Sequence, residues 1–135
     1  MRYLNPDVGR DIIFNELNVD WYDDIVLVEG VFDAIVAGDN AIPILGSTLR
    51  QESKLFQAIV IHDTPVYLAL DADAQKKQNY MIQLFKKYDV DMKIINTQTS
   101  EDVGSMSPRE FENRKDRAHE PDLDEILFLE KLRKL

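Results

Sequence analysis

The chain has 135 residues, 44% of them hydrophobic and 30% charged, with no cysteine and a formal net charge of −9. That length fits one domain with its own core; the lack of thiols excludes disulfides, thiolate zinc sites and a cysteine nucleophile within these residues, and no apolar run approaches the roughly 18 residues that cross a membrane. The acid excess runs against unaided grip on a long stretch of nucleic acid, because phosphate neutralisation by basic side chains drives that affinity.

Residues 1–24 are polar and mixed. Asn5-Pro6 and Gly9 suggest a turn, and Ile12, Ile13, Phe14 and Leu17 are expected to pack on the side of the domain. The first residues lack the apolar core of a signal peptide, so a cytoplasmic location is expected. Ile25–Val28 reads as the first strand, Val31–Ala37 as a short helix ended by Gly38, and Ala41–Leu45 as a second strand followed by a tight Gly46-Ser47-Thr48 turn. Thr48 with Gln51 has the pattern of a capping box, opening a helix that buries Leu49, Leu55, Phe56 and Ile59.

Val66–Leu70 is the third predicted strand. From Ala74 to Tyr88, Met81, Leu84, Phe85 and Tyr88 recur at helical spacing; Tyr80, Met81 and Phe85 read as core or helix packing rather than as a base-stacking platform. Asp91–Ile95 is a fourth strand, and Ser107-Pro108-Arg109-Glu110 is a strong helix start. Asn113–Pro121, dense in charge, reads as the flexible stretch before a last helix that begins near Asp122 and carries Leu123, Ile126, Leu127 and Leu132. The β-α-β-α-β-α-β-α order predicts an α/β domain with a mainly parallel four-stranded sheet flanked by helices. The expected division is a lead-in over 1–24, the domain over 25–112 and a helical extension over 113–135.

Two apolar runs end abruptly in acid: IVLVEGVFDA delivers Glu29 and Asp33, and VYLALDAD delivers Asp71 and Asp73. In open α/β sheets ligands bind at the carboxyl edge, and carboxylates gathered there repel one another unless a cation joins them. Asp71 and Asp73 are two apart, so on an extended chain both point the same way and share hard cations of the Mg²⁺ type. The competing reading makes Asp73 a cap for the following helix and Glu29 a solvated strand-end acid. Asp33 either completes the site, holds a ligand in place, or is simply an acid in a helix's first turn. Asp102 follows the fourth strand at the same edge, where a solvated loop acid is the alternative. Gly30 and Gly46 offer turns open to phosphate; Ser47, Thr48, Lys76, Lys77, Arg50 and Arg10 are candidates for phosphate contact, against a plain solvated face. His62 and His119 have no partner motif, and no GxxxxGK[ST] loop is present.

The ordered set of motifs resembles the Toprim domain of bacterial-type primases, type I and II topoisomerases and several nucleases. An apolar strand ending in Glu-Gly is followed, after about forty residues, by one ending in Asp-x-Asp. VEGVFDA, PILGSTL and SEDVGSM resemble the primase forms of three segments, and NPDVGRDIIFNE resembles the lead-in of phage primases. The second motif, DADAQKK, lacks the third acid usual in topoisomerases, and Gln75-Lys76-Lys77 stands where primases commonly place a glycine.

The resemblance implies the catalytic domain of a phage-type DNA primase, a nucleotidyltransferase of DNA replication that joins ribonucleoside triphosphates on a single-stranded DNA template. It implies Glu29, Asp71 and Asp73 as catalytic residues holding Mg²⁺ or Mn²⁺, two ions, with Asp33 and Asp102 as further ligands. The zinc ribbon and basic template-binding region of a full primase would lie on a longer parent chain or another polypeptide, with a replicative helicase as a further partner and no membrane. A Toprim-type nuclease, and a non-catalytic replisome module docking through the last helix, are the alternatives.

Overall fold

The computed structural model describes residues 12–45, 49–97 and 103–133. Four strands, β1 (Ile25–Val28), β2 (Ala41–Pro43), β3 (Val66–Ala69) and β4 (Met92–Ile94), form one sheet in the order β2-β1-β3-β4, every pair parallel. Five helices accompany them among the described residues: α1 (Val31–Ala37), α2 (Lys54–His62), α3 (Gln75–Lys87), α4 (Pro108–Asp116) and α5 (Leu123–Arg133). The α/β class and the strand positions match the sequence expectation.

β1 is buried on both faces, which is why it reads as a continuous apolar run rather than an alternating one. Its residues still alternate between two cores. Ile25 and Leu27 face a cluster with Leu55, Phe56 and Ile59 of α2, Met81, Ile82 and Phe85 of α3, and Ile126 of α5. Val26 and Val28 face a second cluster with Val103, Met106 and Phe111 of α4, against which Ala34 and Val36 of α1 pack. The sheet is therefore covered on both sides.

Several local expectations are corrected. α2 begins at Lys54: Ser53 is its N-cap, its hydroxyl accepting the Phe56 N–H at 3.3 Å, and Gln51 lies in the turn before it, while Thr48 of the expected capping box lies outside the described residues. Of the four lead-in apolar residues only Ile13 packs on the core, while Ile12, Phe14 and Leu17 are exposed. Asn113–Pro121 is not a loose linker. Its first four residues complete α4, and His119 pairs antiparallel with Ile94 through bonds of 2.7 and 3.1 Å. In α5, Ile126 is buried and Leu123 packs against the core, while Leu127 and Leu132 are half-exposed. The start of α4 is as expected, with Ser107 accepting the Glu110 N–H and Pro108 in the first turn. Among the described residues no helix is long and apolar enough to cross a membrane.

Candidate active site

The strand order reverses beside β1. The chain leaves β1 to one side for β2, then returns over α2 to place β3 on the other side. In open α/β sheets such a reversal opens a crevice at the carboxyl ends of the two diverging strands. Val28 and Ala69 are the last registered pair of β1 and β3. Glu29 follows Val28 directly, and Asp71 follows Ala69 by two residues. Both motifs thus deliver their acids to one crevice.

A cavity of about 680 Å³ lies there, lined by Glu29, Asp71, Asp73, Ala74, Lys76, Lys77 and Tyr80. Local bonds fix its wall. The Leu70 carbonyl accepts the Thr97 hydroxyl, tying the end of β3 to the segment after β4. The Ala74 N–H donates to the Asp71 carbonyl at 2.9 Å, closing a 3-10 turn over Ala72–Ala74. Asp71 and Asp73 therefore do not share a side by strand alternation; the turn brings Asp73 round to the same cavity. Asp73 makes no helix cap either, since the N-cap of α3 is Ala74, with no side-chain bond. The Oδ1 atom of Asp71 is buried.

Lys77 Nζ stands 3.4 and 3.5 Å from the two carboxylate oxygens of Glu29, with 21% and 15% of the two side chains exposed. Three carboxylates against two ammonium groups leave the cavity slightly acidic. Among the described residues no three His, Cys, Asp or Glu side chains close on a common point. The donors are nonetheless the hard oxygens that Mg²⁺ and Mn²⁺ select, and the Lys77 ammonium lies beside the Glu29 carboxylate. An ion of this type commonly uses one or two carboxylates and fills its remaining positions with water and phosphate oxygens.

Asp33 does not line the cavity. Its Oδ2 accepts the Gly30 N–H at 2.9 Å, and its Oδ1 accepts the Gly104 N–H at 2.7 Å. Gly30 itself, at φ −132° and ψ 172°, occupies backbone open to any residue, and its N–H is directed at Asp33. Lys76 and Lys77 join the cavity; Gly46, Ser47, Thr48 and Asp102 lie outside the described residues, as does Arg10. Tyr80, expected as core or helix packing, lines the cavity and is 46% exposed, whereas Met81 and Phe85 are buried. The signal was available: Tyr80 follows Lys76 by four residues and Lys77 by three, so all three share one helix face.

The sequence matches no protein-family model and no curated protein sequence. Among solved structures, the chain is similar to the zinc-binding and RNA polymerase domains of the Aquifex aeolicus primase, with a TM-score of 0.62 and 20% identity. The fold is primase-like. The match covers 83% of this chain and 31% of that one, so the chain spans about a third of its neighbour's length.

Proposed function

We propose that this chain is the catalytic Toprim-type module of a primase, performing metal-dependent nucleotidyl transfer on single-stranded DNA. One observation carries the reading. On a primase-like fold, Glu29 from the end of β1 and Asp71 and Asp73 from the end of β3 meet Lys76, Lys77 and Tyr80 around one cavity at the strand-order reversal.

In this reading Glu29, Asp71 and Asp73 hold Mg²⁺ or Mn²⁺. When bound, the ion neutralises charge on the transferring phosphate and eases deprotonation of the attacking 3′-hydroxyl. The chain's own groups orient the substrate. Lys76 and Lys77 receive the phosphate oxygens as point charges, and Tyr80 offers an exposed ring to a base. Positioning and charge neutralisation are what phosphoryl-type transfer chiefly demands. The net charge of −9 assigns grip on the template to a basic region beyond this module.

The test compares thermal unfolding of the wild type and of a D71N/D73N variant over a Mg²⁺ and Mn²⁺ series, followed by ribonucleotide incorporation on single-stranded DNA. Ligand binding to the folded state raises Tm. A metal-dependent rise in the wild type that the double variant lacks, with metal-dependent primer synthesis, supports the reading. A double variant that responds like the wild type overturns the metal assignment. Strand cleavage without synthesis assigns the same site to a nuclease.

A further inference from the structure

We propose that Lys77 is a built-in counter-cation for Glu29: its ammonium holds the place that a divalent cation takes, so metal binding and release of Lys77 are one event. The inference rests on the metal-site reading above and adds a residue that sets how tightly and when the ion enters.

The position of Lys77 is not explained by the helix that carries it. α3 begins at Gln75, so Lys76 and Lys77 lie in its first turn, where no acid is present. Partial positive charge from the exposed N–H groups gathers there, and a cation in that turn is disfavoured. Local helix stability would place acids at these positions. Lys77 finds its compensation across the cavity, near both oxygens of Glu29 at 3.4 and 3.5 Å. The contact joins residues 48 apart in sequence and is only partly open to water, so it is less screened than a surface pair.

The arrangement has two consequences. A divalent ion that binds Glu29 must compete with the ammonium that faces both of its oxygens. Metal affinity is therefore lowered by the strength of the pair, and the free protein avoids an uncompensated carboxylate at the crevice. The lysine stem has four flexible carbons, so an ammonium displaced from Glu29 stays within the cavity, where an arriving phosphate supplies the next negative charge. Entry of metal and entry of phosphate thereby favour each other, as linkage requires when both draw on the same displaced group.

The experiment measures the Mg²⁺ and Mn²⁺ concentration giving the half-maximal rise in Tm, in the full chain, for the wild type, K77M, K77R and K76M. K77M should shift that concentration down roughly two- to fivefold, the range that an ion pair of modest strength spans. K77R keeps the charge and should stay within about twofold of the wild type or bind metal more weakly. K76M removes the same charge from the same cavity and should move the midpoint less than about twofold. K77Q replaces K77M should the latter fail to fold. A response in K77M where the wild type shows none also supports the proposal. Equal midpoints in the wild type and K77M overturn it and leave the metal reading standing. A shift in K76M or K77R equal to that in K77M overturns it as well, because overall charge or packing is then the cause. If no variant responds to either ion, the metal reading and this inference fall together.

Discussion

Asp33 Oδ1 accepts the N–H of Gly104 at 2.7 Å, across 71 residues of sequence, while its other oxygen accepts the N–H of Gly30 at 2.9 Å. One carboxylate thus caps α1 and ties the segment after β4 to it. Bonds of a charged acceptor to backbone N–H groups contribute about 1.5–3 kcal/mol each at most. D33A should lower stability by about 2–3 kcal/mol in urea unfolding, and D33N by less, since its amide keeps one acceptor oxygen. Neither should change the metal midpoint. Loss of the metal response in a folded D33N protein would instead make Asp33 a ligand.

Gly104 forms the other side of that contact. A Cβ built there stands 3.0 Å from Asp33 Oδ1 and 3.4 Å from the Phe32 Cβ. G104A should therefore destabilise by roughly 1–2 kcal/mol through crowding, and combining it with D33A should cost less than the sum of the two. Strict additivity in that double-mutant cycle would show that the two residues do not act on each other.

Tyr80 is half-exposed at the cavity and is a substrate contact in the proposed function. Y80A should leave Tm within about 1 °C while weakening binding of a nucleoside triphosphate or a short single strand by roughly tenfold, the effect of losing a stacked base. Y80F and Y80W should retain most of the affinity. Fluorescence anisotropy with a labelled oligonucleotide checks this; unchanged binding in Y80A would remove the ring from the substrate site.

Lys115 joins α4 to the opposite end of the sheet. Its Nζ lies 3.1 Å from Asp24 Oδ1 and 4.9 Å from the centre of the Tyr67 ring. Burial alone would lower its pKa, but the hydrogen bond and charge of Asp24, with Glu112 and Tyr67, more than offset this and raise it above the ordinary lysine value. A raised folded-state pKa means stability that is complete below the unfolded value, about 10.4, and lost as pH climbs through the folded one. K115M should be less stable than the wild type by up to about 1 kcal/mol at pH 7. That difference should hold through neutral pH and close only on the alkaline side; closure below pH 9 would contradict the assignment.

The fold was legible because β1 and β3 are apolar on both faces and end in acid, a pattern that specifies both a covered parallel strand and its carboxyl edge. Burial on both sides leaves few other arrangements for IVLV and VYLA. That Glu29, Asp71 and Asp73 line one cavity was legible from the same cause. Less legible was anything set by contacts between distant segments. Lys77 reads as a surface charge until β1 and α3 are placed side by side. Asp33 reads equally as part of the site or as a first-turn acid, and its bond to Gly104 has no signal in the sequence. The N-cap of α2 was misplaced because Thr48 and Ser53 are both good caps, and the choice between them depends on how the chain turns after β2. His119 carries no pattern at all; its backbone, not its ring, makes the contact with Ile94.

The two outer strands of the sheet have a bearing on how copies of the protein meet. In β2, Asn40 and Ile44 bond to β1, so Ala41 and Pro43 turn their backbone groups outward. Pro43 has no N–H to offer, and the Ala41 carbonyl accepts the Asn15 side-chain amide at 3.2 Å. On the far side the outward groups of Ile94 are taken by His119. Exposed strand edges are templates for intermolecular pairing, and proline or a covering segment blunts them. A crowded solution of this chain should therefore resist sheet-to-sheet polymerisation: neither border of its sheet presents an uninterrupted ladder for a neighbour to extend.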